Sequence, residues 1–224
     1  YLGGITPPKT QLSIHLESRK HTGELLRESG VPTTELRAAV ILGSGSASFE
    51  MLRYLTERLP FMITPRWLNN RVQPIAIRDV LHYLVEAAKA TDNDHHTGDI
   101  GGPDIMYYRD MMKRYAKVAG LRQRIILTVP VLTPRLSSHW VSLVTPVPRR
   151  LALPLVDSLV NEVVVDPDND ARRFIAPPPA GLLNFETAVQ LALEKVRHQD
   201  VDTRWSTASV PGAPSSPLPC RPVR

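Results

Sequence analysis

The run Ala38-Ala39-Val40-Ile41-Leu42, which leads into Gly43-Ser44-Gly45-Ser46, limits the possible folds of this chain more than any other stretch. An unbroken apolar run suits a strand buried between helices, and a glycine turn from such a strand into a helix-like segment is the repeating unit of a parallel α/β layer. The same unit can hold the pyrophosphate of a dinucleotide at the helix N-terminus. Two features speak against that use. A third small residue is wanted three positions after Gly45, where Ser48 stands, and an Asp or Glu is wanted about 20 residues on, where the chain reads Ile63-Thr64-Pro65-Arg66. No Lys-Ser or Lys-Thr pair follows, so a nucleoside-triphosphate loop is excluded as well.

The surrounding segments alternate in the way an α/β domain requires. Leu12 to Ser29 reads as an amphipathic helix with Gly30 past its end, and Thr34 to Leu42 as one extended segment. A helix from Phe49 to Leu59, capped by Ser48, leads to short extended pieces at Phe61-Met62-Ile63 and Val72 to Ile77. Asp79 opens a helix expected to bury Val80, Leu81, Leu84, Val85 and Ala88. A polar loop then leads to Asp99-Ile100-Gly101-Gly102-Pro103, and a helix from Tyr108 to Ala119 is closed by Gly120. Beyond Leu127, prolines 130, 134, 146, 148 and 154 cut the apolar segments into short helices, and Phe185 to Arg197 is one more amphipathic helix. The prediction is three regions: 1–127 a partial dinucleotide-binding α/β domain, 128–200 a helical lobe, and 201–224 a disordered tail rich in Pro and Ser.

Charge and composition narrow the partners. The formal charge of +5 comes from basic residues spread along the chain, with no aromatic-interleaved stripe, so nucleic acid is not an expected partner. The only cysteine, Cys220, excludes an intramolecular disulfide. No apolar run approaches the roughly 20 residues needed to cross a bilayer, which leaves only peripheral membrane association open. The opening YLGGITPPKT has no signal-peptide pattern, so the expected compartment is the cytoplasm. Tyr1-Leu2-Gly3-Gly4 reads as the end of a buried strand, and the expectation is a chain that begins inside a larger fold.

Two clusters invite chemistry. His15 and Arg19 are four apart and share a helix face, and a titratable imidazole beside a fixed cation suits proton transfer next to an anionic cofactor. Asp92-Asn93-Asp94-His95-His96 resembles a metal loop in composition only. Gly98 is misplaced for a calcium loop and no Glu closes it, so no metal site is expected.

Taken together, YLGG, LSIHLESRKHTGELLRESGVPTTELRAAVILGSGSASFEMLRYL, RVQPIAIRDVLHYLVEAA and GDIGGPDIMYYRDMMKRYAKVAG resemble the C-terminal half of an atypical short-chain dehydrogenase/reductase. More narrowly, they are similar to NAD(P)H-binding proteins near the reductase-like accessory subunit of respiratory complex I. The resemblance runs from residue 1 to about 195. It implies a Rossmann-like parallel sheet whose first strands, with their pyrophosphate loop, are missing from this chain. His15 matches the tyrosine and Arg19 the lysine of the family's Tyr-x-x-x-Lys pair, while Gly3 or Gly4 replaces its serine or threonine. The same resemblance places Gly3, Gly4, Arg19, Arg37, Ala38 and Val40 against NAD or NADP, and Asn69, Arg71 and Gln73 beside an unknown small-molecule substrate. The glycines of GSGSAS become turn residues. The expected function is an NAD(P)-binding reductase-like protein, a weak or inactive oxidoreductase whose cofactor binding in this chain is weak. The alternative is a non-catalytic scaffold or assembly protein built on the same fold.

Overall fold

The computed structural model describes residues 1–7, 12–129, 156–158 and 160–198. The expected short helices of 130–155 and the expected disordered tail of 201–224 lie outside the described residues. In chain order the strands are β1 (Leu2–Gly4), β2 (Thr34–Ala38), β3 (Ile41–Leu42), β4 (Phe61–Pro65), β5 (Arg71–Val72), β6 (Ile75–Ala76), β7 (His96–Ile100), β8 (Met106–Tyr107) and β9 (Ile125–Val129). The helices are α1 (Ile14–Glu28), α2 (Ala47–Arg58), α3 (Ile77–Ala88), α4 (Tyr108–Val118) and α5 (Phe185–Arg197).

Strands β1, β2 and β7 form a three-stranded parallel sheet with β2 in the middle. Each parallel neighbour needs a crossover, which α1 supplies between β1 and β2. Strand pairs β3–β6 and β4–β9 are also parallel, whereas β5–β8 is antiparallel. The architecture is therefore mixed α/β with mainly parallel strands.

Four readings of the sequence change. The apolar run 38–42 is divided between two strands: β2 stays with β1 and β7, while β3 joins β6 in a separate pair. The divide falls at Ala39-Val40, where the Val40 carbonyl accepts the N–H of Ile75 at 2.9 Å. The polar segment from His96 to Asp99 is strand, because pairing from Thr34↔His96 to Ala38↔Ile100 outweighs weak local propensity. Helix α2 begins two residues early, capped by Ser46, whose hydroxyl accepts the N–H of Phe49 at 3.1 Å. Helix α3 is also rotated from its expected face. Val80 and Tyr83 are buried while Leu81 and Val85 are each 53% exposed, because the large Tyr83 ring takes the inward position.

The main core joins distant parts of the chain: Val40, Phe49, Leu52, Met111 and Tyr115 pack with Phe185 and Val189 of α5. A second cluster joins Leu36, Ile75, Val80, Tyr83 and Ile100 between β2 and α3. Two acids fix the chain entering α5. Fully buried Asp79 accepts the N–H of Leu183 at 2.8 Å, and Asp104 accepts that of Phe185 at 2.8 Å. Buried Arg124, just before β9, donates to the Thr56 carbonyl at 2.7 Å and so satisfies the end of α2.

Helix α1 lies against β2 through Gly23. A Cβ at position 23 would sit 2.6 Å from Oε1 of Glu35, a buried carboxylate ion-paired with Arg27. The absence of a side chain lets the helix approach this closely.

Candidate functional site

In open parallel sheets, ligands bind outside the carboxyl ends of the strands, where neighbouring connections part. A cavity of about 170 Å³ lies at the carboxyl ends of β1 and β2, where the chain divides toward β3. Gly3, Gly4, His15, Arg19, Ala38 and Val40 all line it. Gly4 allows α1 to close over β1, since a Cβ there would meet Leu16 Cδ2 at 2.8 Å.

Helix α1 presents His15 and Arg19 because Ser13 caps it, accepting the N–H of Leu16 at 3.3 Å, and so fixes where its first turn begins. Arg19 donates from Nη2 to the Leu2 carbonyl at 3.2 Å, and its guanidinium stands 5.5 Å from the centre of the Tyr1 ring. The Tyr1 hydroxyl donates in turn to the Arg19 carbonyl at 3.0 Å. These contacts orient a cation at the edge of β1. His15 is exposed, yet partial desolvation and then the Arg19 charge hold its pKa below the usual imidazole value. It is therefore predominantly neutral at pH 7, with one nitrogen able to accept a hydrogen bond and the other able to donate one.

The remaining expected residues lie elsewhere. Arg37 points to the other side of β2, where its Nε donates to Asp99 at 2.7 Å beside a second cavity lined by Ile5, Glu162 and Asp166. Burial pushes the Asp99 carboxyl up, with the Arg37 charge opposing it. Arg71 forms a two-point pair with Glu162, both distances 3.0 Å. Gln73 donates to the Gly102 carbonyl at 2.7 Å and accepts the N–H of Val165 at 3.0 Å. Asn69 ends a 3-10 turn, and its buried Oδ1 has no hydrogen-bond partner among the described residues. None of these four lines the first cavity.

Three hydroxyl residues not expected at the site do line it: Ser48, Tyr108 and Ser158. Burial pushes the Tyr108 phenol far above its usual pKa, so it stays protonated. Ser158 Oγ lies 3.3 Å from the capping Ser13 Oγ. In the sequence, Ser48 stood out as a capping candidate and as the residue at the third position of the glycine turn, and Tyr108 only as the start of a helix. Nothing marks Ser158, which is brought in by tertiary folding.

The GSGSAS turn holds an acid of its own. The carboxylate of Glu50, in the first turn of α2, pairs with Arg53 at 3.1 Å, and the nearby Gly45 amide also favours its charged form. Burial raises the Glu50 pKa against those contacts. A phosphate at this turn would meet the Glu50 carboxylate, and the Ser46 hydroxyl already caps the helix start. The segment at 92–96 is likewise closed on itself. His96 Nε2 lies 3.1 Å from Asp92, and its ring stacks on Phe174 with centres 5.0 Å apart.

No family model matches the chain, and no curated protein matches it either. Solved structures do match. Triphenylmethane reductase from Citrobacter sp. superposes with a TM-score of 0.60 at 14% identity, over 86% of this chain and 63% of that one. The fold is Rossmann-like. UDP-glucose 4-epimerase from Thermotoga maritima gives a TM-score of 0.58 at 15% identity, over 85% of this chain and 55% of the epimerase. WbmH from Bordetella bronchiseptica, solved in complex with NAD+, gives 0.54 at 13%, over 88% and 61%. The reductase has also been solved with NADP(H). The chain thus spans between 55% and 63% of the length of these three structures. Among the described residues no helix is long and apolar enough to cross a membrane.

Proposed function

We propose that this chain forms the nicotinamide- and substrate-facing part of an NAD(P)-binding, reductase-like protein. The observation that carries the reading is that one cavity, at the carboxyl ends of two parallel strands, gathers Gly3, Gly4, His15, Arg19, Ala38 and Val40. The residues present fit one end of the cofactor. Arg19 stands where a cation can hold a ribose hydroxyl, and the backbone of Gly3, Gly4, Ala38 and Val40 gives a flat, side-chain-poor wall for a nicotinamide ring. They do not supply the other end, because the GSGSAS turn carries the Glu50 carboxylate beside its Gly45 amide and is capped by Ser46. A nicotinamide bound there would supply hydride chemistry.

The neutral His15 imidazole can then hydrogen-bond a substrate oxygen and move a proton to or from it. With glycines where the related enzymes carry a hydroxyl, carbonyl orientation falls to Ser48, Tyr108 or Ser158, and turnover is slow. Of the expected substrate contacts, Asn69 does not line the cavity, and Arg71 and Gln73 are already bonded within the protein. Whether the dinucleotide is NAD or NADP follows from ribose contacts outside this cavity.

Loss of two or three charge-assisted bonds to the pyrophosphate, roughly 1.5 to 3 kcal/mol each, removes on the order of 5 kcal/mol. A micromolar dissociation constant then becomes one of several millimolar. Titration of NADPH, followed by NMR, should show such weak binding, and Arg19→Ala should weaken it about tenfold. Equal affinity in the two proteins would remove Arg19 from the site, and saturation below about 50 micromolar would show a complete cofactor cradle. The absence of a hydroxyl at Gly3 and Gly4 favours a second reading, a non-catalytic scaffold. A folded protein with no response to either cofactor would support it.

A further inference from the structure

The cavity has two unlike ends. Its inner end is formed by Leu16, Val40, Met51, Val163 and Tyr108, each no more than 5% exposed, and its outer end carries the exposed His15 and Arg19. Among the described residues no Asp, Glu, Asn, Gln or Lys lines it, and Arg19 is the only fixed charge there. The hydroxyls of Ser48, Tyr108 and Ser158 are uncharged.

We propose that the inner end takes one uncharged apolar ring bearing a single hydrogen-bond acceptor, such as an aryl ketone, and rejects sugars and nucleotides. This rests on the reading of the cavity as the substrate side of the proposed cofactor site. Size supports it first. The whole cavity measures about 170 Å³, close to the roughly 150 Å³ of an apolar cavity known to hold a benzene ring, which gives room for one ring and not for a sugar nucleotide. Polarity supports it next. A sugar would bring several hydroxyls against largely aliphatic walls, where Ser48, Tyr108 and Ser158 can partner only some of them and the rest lose water uncompensated, whereas a ring with one oxygen leaves a single group to satisfy. The side chains best suited to sugar hydroxyls, Arg71 and Gln73, are bonded to Glu162 and to Gly102 and Val165, away from the cavity. The outer end, where His15 and Arg19 are exposed, is the side from which the nicotinamide would approach.

Met51 is a built-in reporter, since its side chain is 2% exposed and lines the cavity. The protein is labelled with 13C-methyl methionine, and the Met51 signal is assigned by its loss in Met51→Leu. Acetophenone, UDP-glucose and NADPH are then titrated separately. Acetophenone should shift Met51 saturably, and UDP-glucose should leave it in place. Ser48→Phe, which puts a ring of its own into the space, should weaken the acetophenone response tenfold or more. If that variant does not fold, Ser48→Leu serves with a smaller effect in the same direction. A saturable Met51 shift with UDP-glucose, no shift with acetophenone, or an unchanged response in the folded variants would overturn the proposal. The NADPH arm keeps the two readings apart. An NADPH response without an acetophenone shift removes the ring site alone, while an acetophenone shift without an NADPH response keeps the ring site and removes the cofactor reading.

Discussion

Helices α1 and α4 both contribute to the cavity, yet they are held in opposite ways. Helix α4 buries Tyr108, Met111, Met112, Tyr115 and Ala116, and Arg114 ties it to Asp104 and Glu186. Tyr115 meets Phe49 edge to face at 6.2 Å, and its hydroxyl donates to Glu57 at 2.6 Å. Helix α1 buries only Leu16 and Gly23, and leaves Ile14 87% and Leu25 53% exposed. The wall that shapes the cavity belongs to the framework, while the side chains proposed for chemistry ride on an element with few buried contacts. Elements of that kind open locally at lower free energy than the core does. Stability and function should therefore separate when the two helices are mutated.

The sharpest way to break this contrast is Tyr115→Ala, which removes a buried ring and should cost about 3 to 5 kcal/mol by urea denaturation. A loss below 1 kcal/mol would mean that α4 is not the framework. Next comes Asp79→Ala, which strands the Leu183 N–H and releases α5. A loss of about 1 to 3 kcal/mol is expected, with the methyl signals of α5 more perturbed than those of α1. Within α1, Leu25→Ala should change stability by no more than about 0.5 kcal/mol. A larger loss would show that something covers this helix in solution.

The smallest effect concerns protons. His15 has a folded pKa below its ordinary value of 6.5, so the unfolded chain takes up the proton first as pH falls. The contribution of His15 to stability is therefore full above about pH 6.5 and declines as pH drops through the window beneath it. His15→Gln should flatten that part of the stability profile, and an NMR titration of the ring should give a midpoint under 6.5. A midpoint above 6.5 would reverse the sign and place an unrecognised acid beside the ring.

Helix positions were largely legible from local signals. Gly30 and Gly120, read as helix ends, adopt φ of 77° and 69° just past α1 and α4, and Phe185–Arg197 has the bounds its periodicity implied. Strands β7 and β9 were not legible as strands. His-Thr-Gly-Asp carries no apolar pattern, and both strands exist through partners more than 60 residues away in sequence. The same limit applied at the site. Spacing brought His15 and Arg19 together because they share one helix, whereas Arg37, one residue from Ala38, faces away because successive strand residues alternate sides. Ser158 reaches the cavity from 145 residues beyond Ser13, and only the folded chain reveals it.

Gly23 acts as a shim. By helix propensity alone, alanine at this position would be preferred by roughly 1 kcal/mol, so an ordinary surface helix would gain from the exchange. Here the added methyl would press on Glu35. Either the carboxylate shifts away from Arg27 or α1 lifts from β2. Lifting would carry Arg19, one turn back on the same helix, away from the Leu2 carbonyl that orients it. A one-carbon change at a position that lines neither cavity would then act as a spacing error, felt at the site as misalignment of the Arg19 charge.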